Sequence, residues 1–360
     1  MSVIAAVRGV LPEHRYAQED LTAGLAELVG LGPQHLAMLE QVHRNAGVEH
    51  RHLALPLEDY ADATADFGRS NDAFIQAATD LGTRAVQEAL DAAGLAVADV
   101  DLLVSTTITG LAVPSLDARL MARLPLREDL KRIPIVGLGC VGGAAGVGRV
   151  DEWLAGHPDG VAVLLAVEIC SLTLQRDDTS TANLVASGLF GDGAAAVVLV
   201  GDRAAERLAP DGIRVCGSRS RLYPGTERAM GWDVGSSGLR IVLGAEVPDL
   251  VRTQVRADVD RFLSAYGMER AQIGWWVAHP GGPKVLDAMA EALEVEPAAL
   301  GVTWRSLAAI GNLSSASVLH VLADTLRDAP PEPGSPGMLL AMGPGFCLET
   351  VLLRAPGERR

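Results

Sequence analysis

Apolar positions along this chain follow two periods in turn. Consecutive apolar runs, the mark of buried strands, alternate with stretches where apolar residues recur every three or four positions, the mark of amphipathic helices. Over 74–93, Leu81, Ala85, Ala89 and Leu90 share one face, and Gly94 follows as a helix-ending glycine. Strands are predicted at 101–106, 133–138 (a short buried strand), 161–168 and 194–200, with helices near 115–124 and over 141–155. A charged, Ala- and Pro-rich stretch at 201–212 reads as a link. Beyond it the order returns: a helix at 248–265, a strand at 274–278, helices at 283–294 and from Ser314, and strands at 338–342 and 347–353. Residues 329–337 read as a stiff surface loop. Such alternation predicts an α/β fold in layers. Its repetition predicts two duplicated units, 1–205 and 206–360. The helix from Ser314 holds in the second unit the place that the helix after Cys140 holds in the first, so both helix starts are expected to face one pocket.

Composition narrows the classes. With 49% apolar and 21% charged residues, the 360-residue chain reads as globular. A net charge of −15 argues against a nucleic-acid partner, because no dominant basic face is available. The four cysteines, Cys140, Cys170, Cys216 and Cys347, have neither C-x-x-C nor metal-site spacing. They are expected to be reduced thiols of a cytoplasmic protein. No signal peptide is read at the start, and the longest apolar run, Val161 to Val167, is too short to span a membrane.

Three residues carry candidate chemistry, each at the end of an element beside small residues. Cys140 lies in Gly-Leu-Gly-Cys-Val-Gly-Gly, between a strand and a helix. A cysteine there is either an inert buried thiol or a nucleophile whose pKa is lowered by the positive end of the helix dipole. His279 ends an apolar strand, where ligands of α/β sheets bind, and suits a general base or a hydrogen-bond donor. The competing reading is a histidine capping a loop. Asn312 precedes an apolar helix and is either a cap or an amide donor. A Cys–His pair supports acyl-enzyme formation. Adding Asn gives two neutral donors for one oxygen, as decarboxylation to a thioester enolate requires.

The combination resembles the type III polyketide synthases, the chalcone and stilbene synthase family within the thiolase fold. The resemblance rests on Gly-Cys140-Val-Gly-Gly, Leu-Phe190-Gly-Asp-Gly-Ala-Ala-Ala, His279-Pro-Gly-Gly-Pro-Lys, Gly-Asn312-Leu-Ser-Ser-Ala-Ser and Met-Gly343-Pro-Gly-Phe. It runs from about residue 75 to the C-terminus. It implies a thiolase-like fold of two αβαβα halves with layered sheets. It also implies a homodimer that uses acyl-CoA and malonyl-CoA and needs no cofactor or metal beyond these coenzyme A thioesters. Cys140 would carry the growing chain, while His279 and Asn312 would hold the malonyl carbonyl. Phe190 matches a gatekeeper between the coenzyme A tunnel and the cavity, and Gly343, Pro344, Gly345 and Phe346 match a cavity loop. Ser314, Glu168, Cys170, Thr173, Trp232 and Ile241 match wall positions. Ile241 and Cys170 replace a phenylalanine and a threonine of the plant enzymes.

The stretch Tyr223-Pro-Gly-Thr-Glu-Arg-Ala-Met-Gly-Trp-Asp resembles the bacterial branch that takes long fatty acyl starters and makes alkylpyrones or alkylresorcinols. Smaller wall residues would leave room for an alkyl chain, while Trp232 could close that space. Arg44 and Arg51, with neighbouring histidines, and Lys284 are the candidate cations for coenzyme A phosphates, against the reading of a solvated charged face. Val113, before Pro114, aligns with a residue that crosses the dimer interface. One alternative is an initiating ketoacyl carrier-protein synthase, which calls for His-Gln-Ala-Asn where this chain has His279-Pro-Gly-Gly. Another is an inactive dimer partner, which would lack the nucleophile.

Overall fold

In the computed structural model, residues 1–208 and 210–357 are described. The first half runs β1 (Val3–Val10), β2 (His14–Ala17), α1 (Gln18–Val29), α2 (Pro33–Asn45), β3 (His50–Leu53), α3 (Tyr60–Ala63), α4 (Phe67–Ala93), β4 (Leu102–Thr107), α5 (Leu116–Leu120), β5 (Lys131–Val136), α6 (Gly142–Gly156), β6 (Val161–Ile169), α7 (Thr181–Leu189) and β7 (Asp192–Val200). The second runs α8 (Asp202–Leu208), β8 (Ile213–Leu222), β9 (Met230–Gly235), β10 (Gly238–Leu243), α9 (Val247–Ser264), β11 (Trp275–Ala278), α10 (Pro283–Leu293), α11 (Gly301–Ile310), α12 (Ser317–Asp328), β12 (Pro336–Gly343) and β13 (Cys347–Arg354).

Strands β5-β4-β6-β7-β1 and β8-β13-β12-β11 are two parts of one nine-stranded sheet, joined where Val3 and Ile4 pair with Arg214 and Ile213 and the Val215 amide donates to the Ser2 carbonyl. The layers follow from which faces are apolar. Helix α4 packs Phe74, Ala78, Leu81 and Ala85 on the outer face of the first part. Helices α9 and α10 cover the second part through Val251, Val255 and Met289. Between the two parts lie α6 and α12, whose Ala144, Val147, Val318 and Leu322 meet strands of both. This is the thiolase arrangement of five layers. Strands β6 and β7 are buried along their whole length, as expected of strands covered on both faces.

Several boundaries depart from the sequence reading. Helix α4 begins at Phe67 rather than 74, because Asp66 caps it by accepting a hydrogen bond from the Arg69 amide. Part of the predicted link at 201–212 is helix α8, and residue 209 lies outside the described residues. The strand before Cys140 is not buried: β5 is the outer strand of its sheet, with Lys131 to Pro134 and Val136 exposed. The hairpin β9–β10, which pairs Trp232 with Ile241, was not predicted. Its signal was Gly235-Ser-Ser-Gly238, a two-residue turn between strand patterns.

Candidate active site

The two central helices begin in the same way. A one-turn 3-10 segment, Gly139–Val141, precedes α6, and another, Ser314–Ala316, precedes α12. Each opens on a left-handed residue, Gly139 at φ 55° and Ser314 at φ 49°. Only glycine adopts this conformation freely, so Ser314 is a strained position held by its surroundings. At Gly139 a Cβ would also come 2.7 Å from the Pro344 ring. Where the two turns meet, Cys140 Sγ lies 3.6 Å from Ser314 Oγ.

The backbone of Asn312 is clamped between Leu189 and Gly191: its amide donates to the Leu189 carbonyl (2.8 Å), and its carbonyl accepts from the Gly191 amide (3.0 Å). Its side-chain Oδ1 accepts from the Ser314 amide (2.8 Å) and the Ser317 hydroxyl (3.3 Å). The Ser314 amide can only donate, so the Asn312 side-chain orientation follows, with Nδ2 left for the cavity. His279 follows β11, its amide tied to the Leu340 carbonyl at 2.9 Å. Its ring is 2% exposed, and Nδ1 is buried without a partner. An unpaired lone pair costs less there than an unpaired N–H, so the neutral ring carries its proton on Nε2. Cys140, His279 and Asn312 all line one apolar cavity, together with Phe190, Trp232 and Pro344. A thiol that shares a cavity with two N–H donors suits acyl exchange, and the donors suit an enolate oxygen.

Residues 39–203 match the family "Chalcone and stilbene synthases, N-terminal domain", and residues 214–356 match the corresponding C-terminal domain. The chain belongs to the chalcone and stilbene synthase family. A 1,3,6,8-tetrahydroxynaphthalene synthase of Streptomyces peucetius subsp. caesius is 56% identical over 98% of this chain and 92% of its own length. A 3,5-dihydroxyphenylacetyl-CoA synthase of Streptomyces toyocaensis is 33% identical over 88% of this chain and 82% of its own. The crystal structure of the 1,3,6,8-tetrahydroxynaphthalene synthase of Streptomyces coelicolor A3(2), a bacterial type III polyketide synthase, superposes with a TM-score of 0.91. That match has 29% identity and covers 99% of this chain and 100% of that one. The protein is thus a type III polyketide synthase, catalysing decarboxylative Claisen condensation of malonyl-CoA. Members of this family work on coenzyme A thioesters without a cofactor. Among the described residues, no helix is long and apolar enough to cross a membrane.

The electrostatics of this polyketide synthase differ from the sequence expectation. The Cys140 thiol is not lowered: burial pushes it up to about 12, against the pull of the Ser314 hydroxyl and with a further push from the Glu168 carboxylate. Burial alone brings His279 down to about 3. At neutral pH both groups are therefore uncharged. The helix start is present, and loss of water acts against its dipole.

Of the predicted wall residues, Cys170, Phe190, Trp232 and Ile241 line this cavity and also a second apolar chamber beside it. Ser314 and Pro344 face the first cavity, and Thr173 faces the second. Four other predicted residues do not line either cavity. Glu168 lies outside the lining of both cavities, with Oε2 accepting from Thr107, Ile108 and Thr109 and Oε1 from Ser315. Burial raises its pKa, and these hydrogen bonds oppose the rise. Phe346 is fully buried against Tyr223 in the core. Gly343 and Gly345 shape the loop from behind while Met342 and Pro344 face inward. Of the predicted phosphate cations, Arg44 and Lys284 are exposed, with Arg44 3.8 Å from Glu40. Arg51 is only 5% exposed and so is not a surface cation.

The sequence reading missed Met230, Leu243 and Val285 in the first cavity and Leu21, Leu25 and Leu28 in the second. Ordinary apolar residues carry no chemical signal. For the α1 leucines only their helical spacing was available.

Proposed function

We propose that this enzyme condenses malonyl-CoA alone and releases 1,3,6,8-tetrahydroxynaphthalene. The observation that carries the reading is the 56% identity, along 98% of the chain, with an enzyme named for that product. Carbon bookkeeping agrees. A naphthalene skeleton has ten carbons, which five malonyl units supply after five decarboxylations. No fatty starter is needed. The balance is five malonyl-CoA to one tetrahydroxynaphthalene, five carbon dioxide, five coenzyme A and one water.

Cys140 attacks the first malonyl thioester while His279 Nε2–H holds the carbonyl oxygen, and the thiol proton passes to the departing sulfur, so coenzyme A leaves as the free thiol. Both groups start neutral, so charge develops only as the bond forms. A second malonyl thioester places its carbonyl oxygen between His279 Nε2–H and Asn312 Nδ2–H. Carbon dioxide departs, and the enolate held by these donors attacks the Cys140 thioester. Repetition lengthens the chain by two carbons each round. One aldol closure then loses water, and one Claisen closure frees the Cys140 thiol. Arg44 and Lys284 receive the coenzyme A phosphates.

A second observation favours a long acyl starter and an alkylpyrone or alkylresorcinol product. The second chamber is lined by Leu21, Leu25, Leu28 and Leu53, and it shares Trp232 and Ile241 with the first as lining residues. Each methylene buried there would favour binding by about 0.8 kcal/mol. Incubating the enzyme with malonyl-CoA, alone and with a ladder of acyl-CoAs, separates the two by product mass. A ten-carbon aromatic from malonyl-CoA alone supports the first reading. Turnover only with acyl-CoA primers overturns it and supports the second.

A homodimer completes the proposal. Val113 is 94% exposed beside Pro114, and Leu111, Ile133 and Val136 are exposed apolar residues at or near the outer strand β5. A face of this kind is suited to twofold pairing. The four free cysteines accord with a cytoplasmic location.

A further inference from the structure

Helix α7 ends at the site, and a helix end leaves carbonyls that need donors. At this end the donors come from side chains outside the catalytic cavity, although Arg51 borders the second chamber. Arg51, on β3, donates through Nη1 to the carbonyls of Ser187 (2.6 Å) and Phe190 (2.9 Å). Gln18, the first residue of α1, donates through Nε2 to the Gly188 carbonyl (2.7 Å) and accepts from Arg51 Nε through Oε1 (3.0 Å). The Leu189 carbonyl receives the Asn312 amide. Four successive carbonyls are thus engaged, one of them by the backbone of Asn312 and two by Arg51. The fit is close: a Cβ on Gly311 would lie 2.7 Å from the Leu189 carbonyl oxygen and 3.2 Å from Arg51 Cγ. A buried guanidinium at a helix C-terminus also opposes the negative end of the dipole.

We propose that Arg51 is a positioning residue for decarboxylation. By tying down the last turn of α7 with Gln18, it sets where the Asn312 amide and the Phe190 ring sit. It does not hold coenzyme A. This rests on the role assigned above to Asn312. The backbone of Cys140 is held by the Gly139 turn against Pro344 and the start of α6, and its thiol meets the Asn312 turn through Ser314 Oγ at 3.6 Å, so loosening α7 leaves its backbone in place.

The experiment compares the parent enzyme with Arg51→Lys, Arg51→Gln and the milder Gln18→Ala, each first checked for a cooperative thermal melt. Malonyl-CoA decarboxylation is measured for kcat and KM, and Cys140 alkylation by iodoacetamide for rate. The Arg51 variants should lose about 10- to 100-fold in kcat, the scale of a misplaced group, with KM changed less than about twofold. Alkylation should be unchanged, and Gln18→Ala should lose kcat in the same direction by a smaller factor. A raised KM with kcat kept would make Arg51 a coenzyme A contact and overturn the proposal. Equal losses of alkylation and decarboxylation would reduce it to general scaffolding, and unchanged kinetics would remove it. A parent enzyme unable to decarboxylate malonyl-CoA would instead sink the functional reading itself.

Discussion

Asn312→Ala tests the oxyanion assignment most directly, and its cost has two separable parts. The first is loss of the cavity-facing Nδ2 donor. Removing one such donor slows the chemical step by about 100- to 1,000-fold, or roughly 2.7–4 kcal/mol in the barrier. The second is structural. Asn312 Oδ1 is the acceptor for the Ser314 amide and the Ser317 hydroxyl in a site that is 1% exposed. Leaving buried donors unpaired costs about 1–3 kcal/mol of folding stability. Asn312→Asp separates the two, because its carboxylate still accepts both bonds but offers no N–H to the enolate. The assay follows malonyl-CoA conversion to acetyl-CoA by chromatography and acylation of Cys140 by intact mass, with melts in parallel. Both variants should lose decarboxylation by the factor above, while acylation falls less than about tenfold. Both variants should melt early, the Ala variant for want of its acceptor bonds and the Asp variant through its buried charge. If Asn312→Asp decarboxylates at near the parent rate, or if acylation and decarboxylation fall together, the reasoning fails.

Three further outcomes are expected. His43 is buried between Thr22 and Ser187, and its pKa is brought down to about 3, chiefly by burial and then by Arg51. Below pH 6.5 the unfolded chain takes up a proton that the fold refuses, so stability falls with acidity. Between pH 8 and pH 5 the parent should lose about 2 kcal/mol more than His43→Gln in denaturant melts, and equal losses would contradict this. A Cβ at Gly143 would meet the Ser315 carbonyl oxygen at 2.4 Å and Val318 at 2.9 Å, where α6 crosses α12. Gly143→Ala should cost about 1–3 kcal/mol by overpacking and lower condensation by about 100-fold by displacing Cys140; a variant with parent stability and rate would show that the crossing can give way. Ile241 lines both chambers, so Ile241→Phe should take up space in each, ending any turnover of long acyl-CoA while keeping the malonyl-only product; an unchanged product profile across starters would refute it.

What the sequence determined by itself was whatever is encoded locally. Gly137 and Gly139 lead into Cys140, a strand runs out at His279, and Asn312 stands before an apolar helix. Each of these can be read within ten residues, so the three candidate groups and the layered fold were legible. The matching starts of α6 and α12 were legible too, because a duplicated unit repeats its own pattern. The charge state of Cys140 was not, since it depends on how much water the closed cavity leaves, and burial there pushes the thiol up. Nor was the placement of Arg51. A basic residue in a charged stretch reads as surface, and only the packing of β3 under the end of α7 turns it inward to two carbonyls. The second chamber is likewise a tertiary product: its leucines come from α1 and its rim from a hairpin more than two hundred residues later, and no local pattern ties those segments together.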